Sequence, residues 1–130
     1  MTTESDAEAA IAAQVRRFYD LCFEDDILAP MFRAAIPDIE THLRIVADFW
    51  SHALLGTTRY DRGTPYSHHM KLEVEEVHFE RWMAAFTQAA REILPEPLCE
   101  AALKRAAHMT ASFKMGMLPL PTPAPRKAPA

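Results

Sequence analysis

The stretch Gly63-Thr64-Pro65-Tyr66-Ser67-His68-His69-Met70-Lys71-Leu72 presents imidazole where a loop should become a helix. Neutral imidazole on a short, adjustable helix is a strong axial donor for a metal set in a flat ring. Met70 and Leu72 give no clean helical register, so periodicity leaves His68 and His69 both open. Taken in isolation, either reads more readily as a partly exposed loop histidine. Upstream, His42 falls on the inner face of a helix that runs on to Phe49 and Trp50. Tyr19 lies one turn beyond Val15 and two beyond Ile11, which puts its ring on a buried side where its hydroxyl must find a partner. Trp82 falls on another apolar face. The phenol O–H and the indole N–H are donors that suit a polarised diatomic ligand, whose outer atoms carry negative charge. One flat ligand that uses an imidazole on one face and such donors on the other is haem, and the spacing predicts a haem pocket.

Phe32, Val46, Phe49 and Met109 are suited to apolar contact with the ring, although such residues are also ordinary core. The ring's carboxylates need cationic or polar partners at the rim, and Arg44, Tyr66, His68 and Lys71 are within sequence reach. Other site chemistries lack their motifs. There is no Cys-x-x-Cys, no His-Glu-x-x-His, no Walker-type glycine loop, and no pair of Glu-x-x-His segments on two inner faces. His52 and His108 lie on helices with nothing to make them ligands. Cys22 and Cys99 are far apart in helical apolar patterns and read as reduced core residues.

These groups need helices to hold them. At 130 residues the chain is one domain able to bury a core without disulfides. A formal net charge of -4 and pI near 5.8, with basic residues scattered, argue against nucleic acid or anionic membrane as partner. The acidic start Met1-Thr-Thr-Glu-Ser-Asp leads into no uncharged apolar run, so neither signal peptide nor membrane span is expected, and the expected location is cytoplasmic.

Ser5-Asp6-Ala7-Glu8 has the form of a capping box, followed by Ile11, Val15, Phe18 and Cys22 at helical spacing to about Phe23. Between Pro30 and Pro37 there is too little length for a full helix, and short turns with an inward Phe32 are predicted. Asp38 should cap a long helix with Ile39, Leu43, Val46, Trp50 and Leu54 on one stripe and His42, Phe49 and Ala53 on the next, ending at Gly56. A loop from Thr57 and a short helix from Ser67 to Leu72 follow. A third long helix opens on Glu73, Glu75 and Glu76 and buries Phe79, Trp82, Met83, Phe86, Ala90 and Ile93, stopping before Pro95 and Pro97. The last helix starts near Pro97 or Leu98, buries Ala102, Ala106, Met109 and Phe113, and ends near Gly116. From Pro119 the Pro-rich residues 119–130 predict an extended, disordered tail. No strand pattern and no repeat is present.

Phe18-Tyr19, Pro30-Met31-Phe32, His42 through Phe49-Trp50, Leu54-Leu55-Gly56, the Pro65 to Leu72 segment with its histidine, and His78-Phe79-Glu80-Arg81-Trp82 together resemble the truncated haemoglobins, and within them group III. The resemblance spans roughly Val15 to Leu118. Groups I and II fit less well, because they typically carry Gly-Gly pairs that this chain lacks. The resemblance implies an all-α, globin-like two-over-two helical sandwich over residues 1–118, with haem b (iron protoporphyrin IX) as cofactor. By the family's spacing to the following leucine it implies His69, not His68, as the iron ligand. Tyr19, His42 and Trp82 are then distal, and Phe32 packs against the ring. The expected ligands are dioxygen, nitric oxide or carbon monoxide. Turnover as a nitric oxide dioxygenase or a peroxidase-like enzyme would need a partner reductase, since the chain has no flavin or nicotinamide motif. The remaining alternative is a haem-free helical interaction module in which the histidines are structural.

Overall fold

Thr3 opens the first helix of the computed structural model, which describes residues 3–63 and 72–117. Its hydroxyl accepts from the Asp6 N–H at 3.0 Å while the Asp6 carboxylate accepts from the Thr3 N–H at 3.4 Å, so the helix α1 spans Glu4–Glu24. The capping box expected at Ser5 and Glu8 does not form. The Glu8 carboxylate accepts instead from Ser51 on another helix, at 2.6 Å, and from Arg59. A carboxylate held there cannot fold back onto its own first turn.

The segment after Asp25 is a helix, α2 (Leu28–Ala35), where only short turns were expected. Pro30 is its third residue, a position whose N–H has no intrahelical acceptor, so the ring costs no hydrogen bond. The Asp25 carboxylate accepts from the Ile27 and Leu28 N–H groups at 2.9 and 3.0 Å and serves the orphan donors of that first turn. Phe32 is buried on the inner side, as its spacing predicted.

Asp38 caps α3 (Ile39–Leu55), accepting from the Thr41 N–H, and Gly56 ends it with φ at +75°. That left-handed value closes a helix at little cost only for glycine. A fourth helix, α4, runs Glu76–Ile93, and α5 runs Leu98–Met117 directly after Pro97. Among the described residues there is no strand, and no helix is long and apolar enough to cross a membrane. The short helix expected from Ser67 and the tail from Pro119 lie outside the described residues.

The layers follow from which faces are apolar. The α1 face carrying Ile11, Val15 and Phe18 packs on α3 and α4, α4 packs on α5, and α2 closes one end against α1. Two helices thus cross two others, the two-over-two arrangement, in an all-α globin fold. Phe86, almost fully buried, is the hub: its ring centroid is 4.9 Å from Trp50, 5.5 Å from Trp82 in a stacked pair, and 5.5 Å from Phe18 edge-on. Cys22 and Cys99 are free and buried, as expected. The apolar stripes hold, with one difference. Trp82, Met83, Ile93, Met109 and Phe113 are half-buried where burial was expected, and of these Trp82, Met109 and Phe113 border a cavity.

Candidate functional site

The helices of the described residues leave between them a cavity of about 510 Å³. That is within the roughly 300–1,000 Å³ of small-molecule and cofactor sites. Its wall is mostly apolar. Phe18 of α1, Met31 and Phe32 of α2, and Val46 and Phe49 of α3 contribute to it, and Phe79 of α4 and Met109 of α5 stand with them.

Three polar tips interrupt this surface: Tyr19, His42 and Trp82 all line the cavity. The helical phase of α1 points the Tyr19 ring inward, edge-on to Phe18 at 5.1 Å and tilted against Phe32 at 5.6 Å. Its hydroxyl lies 2.9 Å from His42 Nε2, with the two rings T-shaped at 5.2 Å. Either group donates, according to the histidine tautomer. Burial, with a smaller push from Cys22, raises the Tyr19 pKa far above the usual phenol value, so the hydroxyl keeps its proton. Trp82 is fixed by its stacking on Phe86 and by an edge contact with Phe18 at 5.2 Å.

The structure thus brings Tyr19, His42, Trp82, Phe32, Val46, Phe49 and Met109 to one cavity. It does not bring Arg44 there. Arg44 is exposed on α3, outside the wall, and its charge bears on the first-turn carboxylates Asp38 and Glu40. His68, His69, Tyr66 and Lys71 lie outside the described residues.

Residues 6–115 match the family described as bacterial-like globin. The chain belongs to that family. No curated protein matches it. Among solved structures, the crystal structure of the group III truncated hemoglobin from Campylobacter jejuni is 27% identical, the match covering 90% of this chain and 95% of that chain with a TM-score of 0.79. The resemblance to group III seen in the sequence therefore holds, and this bacterial-like globin is a haem-binding protein by family.

The globin's cavity also has wall residues that were not expected. His78 sits in the first turn of α4, where its Nδ1 accepts from the Glu75 N–H at 2.9 Å in a capping box. The neutral ring must then carry its proton on Nε2. The signal for it was available, because His78 is four residues before Trp82 and so shares its helical face. Thr110 is a second: its hydroxyl donates to the Ala106 carbonyl at 2.8 Å and lies 3.8 Å from the Met83 sulfur of α4. Tyr60 and Arg62 also border the cavity of this globin, from a loop whose sequence has no period to read.

Proposed function

We propose that this globin binds haem b through His69 and holds dioxygen, nitric oxide or carbon monoxide on the side of Tyr19, His42 and Trp82. The observation that carries the reading is the hydroxyl–imidazole pair at 2.9 Å set in the wall of an otherwise apolar cavity. A bound haem would supply an iron able to take a diatomic ligand, with His69 as the residue that would hold it. The protein's part is to shape what surrounds the ligand.

The cavity fits the group in size and in chemistry. Its apolar surfaces suit a flat macrocycle, and its polar tips are donors and not competing metal ligands of high charge. Tyr19 stays protonated because burial disfavours its phenolate, so it can give a hydrogen bond to a ligand whose outer atom is negative. His42 orients that hydroxyl: when Nε2 accepts, the Tyr19 proton points at the imidazole, and when Nε2 donates, the proton is released toward the cavity. Trp82 offers a second N–H on the same wall and cannot accept. The mostly apolar surroundings lower the local dielectric, which strengthens each of these bonds.

The experiment is the visible absorption of the purified protein, reduced and then exposed to carbon monoxide, beside His69→Ala. A haem spectrum that shifts with carbon monoxide in the wild type and is lost or altered in the variant is the expected result. A protein that stays folded, colourless and unable to take up added haem would overturn the reading and leave the helical interaction module.

A further inference from the structure

We propose that Tyr60 is the exit for oxidising equivalents from the cavity: an electron withdrawn from the aromatic wall is replaced from Tyr60, which a small external reductant then restores. This rests on the haem reading above and adds to it a one-electron route toward solvent.

Seven aromatic rings follow one another without a break. In order they are Tyr19, Phe18, Trp82, Phe86, Trp50, Phe49 and Tyr60, with neighbouring centroids 4.9 to 5.5 Å apart. All but Phe86 line the cavity. Phenol and indole give up one electron far more readily than a phenyl ring or the backbone does. Among the described residues every Tyr and Trp belongs to this series, and the oxidisable rings alternate with phenylalanines. Electron transfer weakens steeply as the gap between groups widens. Phe18, Phe86 and Phe49 fill the three gaps with packed π-surface, so an electron taken at any of the four oxidisable rings can be replaced from the next.

The two ends of the series differ in what they can do with a proton, which a phenol sheds when it is oxidised. Tyr19 is buried with its hydroxyl 2.9 Å from His42 Nε2, so its proton passes to that imidazole and stays in the pocket, ready to return. Tyr60 is half-buried on the loop after α3, where water can take the proton. An oxidised Tyr60 therefore persists, and a dissolved reductant can reach it. Its loop is tied to α3 by the preceding residue: Arg59 Nε donates to Asp48 at 3.2 Å and Nη2 to Ser51 at 3.1 Å. With hydrogen peroxide as the oxidant at the haem, the O–O bond breaks, two electrons and two protons are taken up, and two waters leave. Tyr60 supplies one electron per turn and sends its phenol proton to water. A small phenol or ascorbate then returns one electron and one proton to it, and a second turn completes the balance.

The test mixes ferric haem-loaded protein with hydrogen peroxide, freezes it rapidly and reads the organic radical by electron paramagnetic resonance. The wild type should give a tyrosyl signal that narrows when the protein is grown with ring-deuterated tyrosine and that ascorbate erases. Tyr60→Phe keeps the ring against Phe49 and should lose the signal, whereas Tyr19→Phe should retain it. Without the exit, oxidation stays inside, and Met31 and Met109 of the cavity wall should gain sulfoxide in Tyr60→Phe, read by peptide mass spectrometry. Trp50→Phe, which removes the last indole before Tyr60, should form the signal more slowly; an unchanged rise would overturn the series as its path. A haem-loaded wild type with no tyrosyl signal, or a signal that survives Tyr60→Phe, would overturn the assignment while leaving the haem reading intact. A wild type that takes up no haem would overturn both.

Discussion

Tyr19 has one proton to give, and His42 Nε2 is its neighbour at 2.9 Å. Tyr19→Phe keeps the ring packing against Phe18 and Phe32 and removes only the hydroxyl. If that hydroxyl holds ligand, the variant should release it roughly three- to tenfold faster, the worth of one net hydrogen bond, in a stopped-flow or flash-photolysis measurement. An unchanged escape rate would assign the work to Trp82. The same residue makes a prediction about pH. Its pKa is raised on folding, so the unfolded chain loses that proton first, near pH 10, and above it the folded chain binds more protons than the unfolded one. Stability therefore falls as the pH rises past about 10, with Cys22, raised by burial, adding the same sign from about pH 8.5. Denaturant midpoints between about pH 8 and pH 11 should decline less in Tyr19→Phe than in the wild type. Parallel declines would show a phenol that ionises as easily folded as unfolded.

At the scale of elements, Asp25 joins three helices. It caps α2 with one carboxylate oxygen and receives Arg81 of α4 on the other at 3.0 Å. Burial pushes its pKa up, but the Leu28 and Ile27 N–H groups and Arg81 outweigh that and hold it below the usual carboxylate value. Its contribution is present above about pH 4 and is lost as the pH falls further. Asp25→Ala should cost about 1 kcal/mol in chemical denaturation, as the loss of a cap does, and Arg81→Ala less, because Arg81 is half in water. The long helices were legible in the sequence because their signals are local: Asp38 beside its own N–H donors, Gly56 at a left-handed turn, Phe79 and Phe86 two turns apart. The helix α2 was not legible, since Pro30 reads as a breaker unless one knows that it falls where no hydrogen bond is owed. Thr3 rather than Ser5 capped α1 for a reason no local pattern contains, namely that Glu8 is taken by α3 and Arg59. Tyr19, His42 and Trp82 could be read as inward from spacing alone. Arg62 could not, because it reaches the cavity from a loop whose sequence has no period to read.

At the scale of the molecule, one ring ties the core to the cavity. Phe86 touches Trp50, Trp82 and Phe18, and all three of those side chains line the cavity. Phe86→Ala should destabilise the fold by about 3–5 kcal/mol, the usual cost of deleting a buried aromatic ring, measurable as a lowered denaturant midpoint. It should also speed haem loss, because Trp82 would lose the surface on which it is stacked. A variant that lost stability but held haem as firmly would show the cavity wall to be independent of the core. The two tryptophans carry a further consequence. Trp50 and Trp82 are the only indoles in the chain, and both stand on the cavity wall. Every ultraviolet photon that the protein emits from tryptophan therefore originates beside whatever occupies the cavity. A haem absorbs in the region where indole fluoresces, so the emptied protein should glow and the filled one should be dark. Occupancy can then be counted by light from the native side chains, with no label attached.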